Sequence, residues 1–176
     1  MAKEAGKQLG KLREFSMQLA EKLKAAKYTP SEPIRLALRI GALSYLLPMV
    51  SAGEIVALPV IAPVPWTKPW FRGLANVRGR LTGVVDLQHL AGRGPLPAEQ
   101  SQQLLVLAES HNVNTALLIS RAFGLRNLND LESLGRASDQ PLSWEQTRFR
   151  DLDGAVLTEL DLGALIRSEA FATIGI

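Results

Sequence analysis

Ile34, Leu36, Leu38 and Ile40 are apolar, and Arg35, Ala37 and Arg39 stand between them. A period of two places the apolar set on one face of a half-buried strand and the arginines on the wet face. Gly41 and Ala42 then turn the chain into a partner strand over residues 43–49. Residues 50–58 read as a strand or as a short helical turn around Glu54. Residues 74–77 and 81–85 are apolar and partly β-branched, and Arg78, Gly79 and Arg80 between them predict a tight hairpin. Gly73 and Gly83, inside or beside these strands, predict a bulge or a close backbone approach. Residues 61–69 hold Pro63, Pro65 and Pro69 and predict an irregular loop, with Trp66, Trp70 and Phe71 packing over one end of a barrel.

The second half repeats this outline. Residues 104–108, 116–119 and 123–128 predict strands, with a reversal at His111 and Asn112. Residues 133–144 read as a loop rich in Gly, Ser and Pro. Residues 148–152 and 155–160 flank Asp153 and Gly154, a strong hairpin signal. A strand ending in Asp-Leu and running into a helical turn occurs at Asp86-Leu87 and again at Asp161-Leu162, 75 residues on. Many short strands with glycine turns make this an all-β chain, and the half-repeat argues for two similar barrels.

Before Pro30 the period is different. Leu9, Leu12, Ser16, Leu19, Leu23 and Ala26 recur with the 3,4 spacing of an amphipathic helix, broadened by Phe15, and Pro30 and Pro33 end it. Residues 1–30 are therefore expected to form a helix and linker, and residues 31–176 the folded domain. The helix would pack on its own domain, on a partner or on a membrane surface.

Charge and composition narrow the function. The net charge of +3 comes from residues 1–30, which carry seven Lys/Arg and three Glu; residues 31–176 carry thirteen basic and fourteen acidic residues. A nucleic-acid-binding body would carry its own basic patch, so nucleic acid is not expected as a partner. The alternative, a small β-barrel nucleic-acid-binding domain with a basic helical tail, would need aromatics interleaved with Lys/Arg on its strands, and residues 104–108 and 116–119 contain neither. The chain has no cysteine, which rules out a disulfide framework and a thiol nucleophile. No signal peptide is legible, and the apolar run at residues 55–65 is short and broken by prolines, so a cytoplasmic protein without membrane insertion is expected.

Catalysis finds no constellation. Asp86, His89, His111 and the serines lack a nucleophile elbow, and two histidines without cysteine do not make a zinc site. Asp151 and Asp153 begin like a calcium loop, but Gly154 comes too early and no third carboxylate follows. Pro95 spoils Gly92-Arg93-Gly94 as a phosphate cradle. Asp86 and Asp161 each end a strand before a helical turn, where a carboxylate caps free amides better than it pairs as a dyad. No enzyme, cofactor or metal is expected.

The order Gly73, Asn76-Val77-Arg78-Gly79, Val84-Val85-Asp86-Leu87 resembles the signature of the CheW-like adaptors of bacterial chemosensory arrays. Val77 stands where leucine is usual and Gly83 where proline is. Ala52-Gly53-Glu54-Ile55 and Leu160-Asp161-Leu162 resemble flanking segments of the same family, and the resemblance spans about residues 33–171. Ile119-Ser120 departs from a frequent Val-Asp pair. The resemblance implies two five-stranded SH3-like barrels side by side with a groove between them. It also implies a non-enzymatic scaffold coupling the cytoplasmic tip of methyl-accepting chemoreceptors to the regulatory domain of a CheA-type histidine kinase. Glu54, Arg78, Gly79, Val85 and Leu118 are the candidate partner-binding residues. The N-terminal helix and altered signature look most like the variant serving twitching motility through type IV pili.

Because the period changes at Pro30 and Pro33, deletion of residues 1–30 is expected to leave a strand-rich domain that unfolds cooperatively. Thermal unfolding followed by circular dichroism checks this. Aggregation or a broad, non-cooperative melt would make the helix part of the core.

Overall fold

The computed structural model describes residues 33–98, 101–136 and 142–176, and the expected N-terminal helix lies outside them. The strands in chain order are β1 (Ile34–Ile40), β2 (Leu43–Pro48), β3 (Ala52–Ala57), β4 (Ile61–Ala62), β5 (Phe71–Val77) and β6 (Arg80–Val85). They continue as β7 (Gln103–Leu107), β8 (Thr115–Ile119), β9 (Arg121–Asn127), β10 (Glu132–Arg136), β11 (Glu145–Arg150) and β12 (Val156–Leu160). Short helices α1 (Leu87–Leu90), α2 (Leu162–Arg167) and α3 (Glu169–Ala172) follow β6 and β12.

The strands form two open six-stranded sheets. The first has the order β3-β7-β8-β6-β5-β4 and the second β9-β1-β2-β12-β11-β10, so the two match strand for strand. In each, one central pair is parallel, Val84 lying opposite Ala116 and Thr158 opposite Tyr45, and every other pair is antiparallel. The first sheet is continuous in sequence. The second takes β1 and β2 from the start of the chain and the other four strands from its end.

Each sheet thus has six strands where barrels of five were expected, and no pairing joins its two edges among the described residues. The extra strands come from segments read as loops. β4 sits in the proline-rich segment and lasts two residues, because Pro63 has no N–H to extend the ladder. β10 lies inside the Gly/Ser stretch, pairs with β11 alone among the described residues, and shifts register between Ser133 and Gly135. The ambiguous segment at 50–58 resolves into a 3₁₀ turn (Met49–Ser51) and β3, with Glu54 on the strand.

The two sheets share a core. Leu38, Ile40 and Leu47 of the second sheet cluster with Val84, Leu104, Leu117 and Ile119 of the first and with Leu162 and Leu165 of α2. Ala37, Leu46, Phe149 and Leu157 form a smaller core on the opposite face of the second sheet. β1 is therefore covered on both faces, and Arg35 and Arg39 are half-buried where a wet face was expected.

The Asp-Leu repeat is a structural repeat. Asp86 N–H donates to Trp70 O at 2.8 Å, and Asp161 N–H to Trp144 O at 2.8 Å. Each carboxylate then caps the following helix, Asp86 accepting from His89 N–H at 3.0 Å and Asp161 from Ala164 N–H at 2.9 Å. Leu87 and Leu162, the next residues, are buried and anchor the helices in the core. Trp70 is buried, stacked on Phe171 and edge-on to Phe71 as expected of a packing cluster. Trp66 departs from that expectation and stays 80% exposed.

Arg78 (φ 51°) and Gly79 (φ 83°) form a two-residue turn between β5 and β6 with both residues left-handed, the geometry that matches the twist of the flanking strands. The foreseen bulge lies at Gly73, where the β5–β6 register shifts and φ is 125°. A Cβ there would lie 2.1 Å from Ala62 O on β4. Gly73→Ala is therefore expected to cost about 2 kcal/mol or more, from backbone strain and the clash together, and chemical denaturation measures it. Gly79→Ala, whose Cβ would meet nothing within 4 Å, should cost less.

Candidate functional site

Chemistry-bearing side chains gather at the tip of the first sheet. The β5–β6 turn, β3 and the β7–β8 connection enclose a groove of about 710 Å³. Val77, Val106, Leu107 and Val113 supply its apolar lining. Two ion pairs flank it: Arg78 Nε lies 2.7 Å from Glu54 Oε2, and Arg80 pairs with Glu109. Cation and anion stand together in each pair, so the groove presents both donors and acceptors without a net charge. Both pairs are largely exposed, and pairs of this kind contribute about 0–1 kcal/mol each to folding. They are therefore available for exchange with a partner at small cost to the fold.

The structure brings Glu54, Arg78 and Gly79 together at this rim. It does not bring Val85 and Leu118 there. Val85 is 1% exposed and lies between Phe71 and Leu117 in the sheet; Leu118 is 3% exposed and pairs with Leu104. These two are core residues, because β6 and β8 are interior strands with partners on both sides. This groove lies on the first sheet. Arg78 stays largely exposed at the hairpin tip and its carboxylate partner there is Glu54. Asp86 is fully buried, accepts a second hydrogen bond from Leu96 N–H at 2.8 Å, and has Arg72 Nη1 at 3.6 Å. Ser120, at the departure from the family pattern, is buried and its Oγ accepts from Gly41 N–H at 3.0 Å, holding the β1–β2 turn.

A polar cluster that sequence reasoning missed joins the sheets. Arg93, in the loop after α1, donates to Glu145 through both terminal nitrogens at 2.6 and 2.8 Å. Tyr45 Oη donates to Glu145 Oε1 at 2.8 Å and accepts from Arg93 Nη1 at 3.0 Å. A forked, charge-assisted contact of this kind fixes geometry as well as supplying energy. Burial acts to raise the Glu145 carboxyl, but the hydrogen bonds from Arg93 and Tyr45 outweigh it and hold the group below its ordinary value. Burial, followed by the hydrogen bond to Glu145, pushes the Tyr45 phenol well above its ordinary value. The hydrogen bond to Glu145 raises Arg93 despite its partial burial. The three residues are far apart in the chain, so no spacing signals them. The only sequence cue was Arg93 between two glycines in a loop that fails as a phosphate cradle.

Among the described residues, no helix is long and apolar enough to cross a membrane, and no group of three or more His, Asp or Glu is placed to hold a metal ion. Two sheets joined by a shared core and a part-buried ion pair, with an exposed groove rimmed by paired charges, suit an interaction scaffold. Residues 36–170 match the CheW-like domain, and the chain belongs to that family, whose members are non-enzymatic adaptors. Over 92 residues it is 32% identical to the protein PilI of Pseudomonas aeruginosa, a match that takes in 52% of this chain and 51% of PilI. The chain thus spans about half the length of that relative in the match. It is 26% identical over 107 residues to the chemotaxis protein CheW of Thermotoga maritima, covering 60% of this chain and 69% of that one. The crystal structure of the scaffolding protein TtCheW from Thermoanaerobacter tengcongensis shares the fold, with a TM-score of 0.64 at 16% identity over 78% of this chain and 94% of the other.

Loss of Glu145 leaves Arg93 and Tyr45 with unmet hydrogen-bonding capacity at a mostly buried site. Glu145→Gln is expected to lower stability at neutral pH by about 2 kcal/mol, less than a fully buried pair would lose because Arg93 reaches solvent. Glu145 titrates lower in the folded protein, so its contribution is complete above the unfolded carboxyl value of about 4.3 and is lost as pH falls through the folded value. Urea denaturation across pH 2.5–7 should show a steeper acid loss in the wild type than in Glu145→Gln.

Proposed function

We propose that this chain is a cytoplasmic adaptor that couples the cytoplasmic tip of methyl-accepting chemoreceptors to the regulatory domain of a CheA-type histidine kinase. We propose further that it serves a chemosensory system controlling type IV pilus twitching motility. Membership of the CheW-like family supports the first statement, and the similarity to PilI supports the second. The observation that carries the site assignment is the Arg78–Glu54 pair at the rim of an apolar-lined groove. A helical hairpin can lay apolar side chains into such a groove, while a carboxylate on it exchanges with Glu54 for the guanidinium fork of Arg78. Glu54, Arg78 and Gly79 would touch the partner. Val85 and Leu118 would act from beneath, by keeping the strands that carry the rim in place. For residues 1–30 the proposal keeps the expectation from the sequence, an amphipathic helix that would pack on its own domain, on a partner or on a membrane surface.

Binding isotherms with a receptor-tip hairpin and with the kinase regulatory domain test this reading. Arg78→Glu puts two carboxylates together at the rim and should weaken receptor binding at least tenfold, about 1.4 kcal/mol, with a change in folding stability of no more than about 0.5 kcal/mol. Kinase binding should persist. Glu54→Gln, which frees Arg78, should not weaken the receptor contact if the receptor supplies the carboxylate. Undiminished receptor affinity in Arg78→Glu would remove Arg78 from the site. Parallel loss of melting temperature and of both partners would make the pair structural.

A further inference from the structure

β9 is an edge strand of the second sheet, and its register with β1 sets two arginine pairs face to face: Arg35 opposite Arg126, and Arg39 opposite Arg121. Like charges directly opposite each other across strands repel. The first pair is neutralised from within, Arg35 Nε lying 2.9 Å from Glu159 Oε1 and Arg126 Nε 3.2 Å from Asp151 Oδ2. The second is treated differently. Among the described residues, neither Arg39 nor Arg121 has a carboxylate within ion-pairing distance; Arg39 Nε is buried without a hydrogen-bond partner, and the Arg121 guanidinium stands 5.1 Å over the Phe123 ring. On this edge strand Phe123, beside Arg121, is 36% exposed, and Leu125, opposite Leu36 on the other face of the sheet, is 54% exposed.

We propose that Arg39 and Arg121 form a docking site for an acidic, extended segment of a partner protein lying along the β9 edge, whose carboxylates complete the guanidinium forks beside Phe123 on one face while its alternate, apolar side chains rest on Leu125 on the other. The contrast between the two arginine pairs carries the inference. On the same two strands the fold supplies two carboxylates to one pair and leaves the other, with an orphaned buried donor, for a counter-charge from outside. Charge complementarity selects an acidic occupant, and guanidinium geometry suits a carboxylate. A peptide fits better than a membrane or nucleic acid, because an edge strand with two cations and an aromatic on one face and an exposed leucine on the other suits a segment that alternates acidic and apolar side chains, and residues 31–176 carry thirteen basic against fourteen acidic side chains. The surface belongs to the second sheet and is independent of the groove at Arg78.

The test is a titration of the ¹⁵N-labelled full chain with an eight-residue peptide of alternating glutamate and valine at low ionic strength, reading arginine Nε–H and β9 amide resonances. Saturable shifts of Arg39 Nε–H and of β9 are expected, with at least tenfold weaker binding in the Arg39→Gln/Arg121→Gln double variant. Arg121→Gln alone, at an exposed position that should not disturb folding, should also weaken binding, and Arg126→Gln should leave it within about twofold. The proposal fails if the peptide does not shift these resonances, or if the double variant binds as the wild type does. It fails equally if phosphatidylserine vesicles perturb the same residues while the peptide does not, which would make the surface a lipid contact.

Discussion

The structure depends on the parallel pairing of β12 with β2. A parallel neighbour cannot be made by a tight turn and needs a long connection. In the first sheet that connection is local, running from β6 through α1 and β7 to β8. In the second sheet the equivalents of β7 and β8 are β1 and β2, from the opposite end of the described chain. The last four strands therefore cannot complete their sheet without the first two. The chain is two copies of one six-strand pattern, with the second copy permuted so that it closes around the first. The shared core is the packing expression of the same fact, since side chains of β1 and β2 meet those of β6, β7 and β8.

Around each parallel pair the same joint recurs. An aspartate donates its N–H to the carbonyl of a tryptophan, caps a short helix with its carboxylate, and is followed by a leucine that buries itself. The two joints have diverged in their surroundings. Asp86 also accepts from Leu96 N–H and so fixes the loop that carries Arg93, and Arg93 reaches across to Glu145 on β11 and Tyr45 on β2. A cap in one sheet thus positions the cation that grips the other. This chain of contacts lets a small, short-stranded domain hold a fixed surface.

That tip illustrates how rigidity and availability are divided. The β5–β6 turn is set by backbone geometry, with Gly79 N–H also donating to Asn76 Oδ1 at 2.8 Å. Its charged side chains, by contrast, are paired where water still screens them. Deep polar groups hold the sheets together and shallow ones remain exchangeable. The part-buried Arg93–Glu145 pair and the rim ion pairs are the same chemistry at two depths, and the deeper one ties the sheets together.

Periodicity, turn residues and the NxRG and VDL segments determined much of this protein by themselves: the β class, the β1–β2, β5–β6 and β11–β12 hairpins, the bulge at Gly73, the capping role of Asp86 and Asp161, and the family. These are local properties, in which a glycine or an aspartate acts on residues within a turn of itself. Only the tertiary structure decided the rest. β4 and β10 became strands because a neighbouring edge offered hydrogen bonds to segments whose own composition disfavours the sheet. Ala37 became core, and Arg35 and Arg39 half-buried, because β1 is an interior strand with both faces covered. Val85 and Leu118 moved from candidate contacts to core for the same reason. The Tyr45–Arg93–Glu145 cluster and the partnering of Arg78 with Glu54 join residues distant in sequence, and no local pattern marks a contact whose existence depends on how two sheets are laid together.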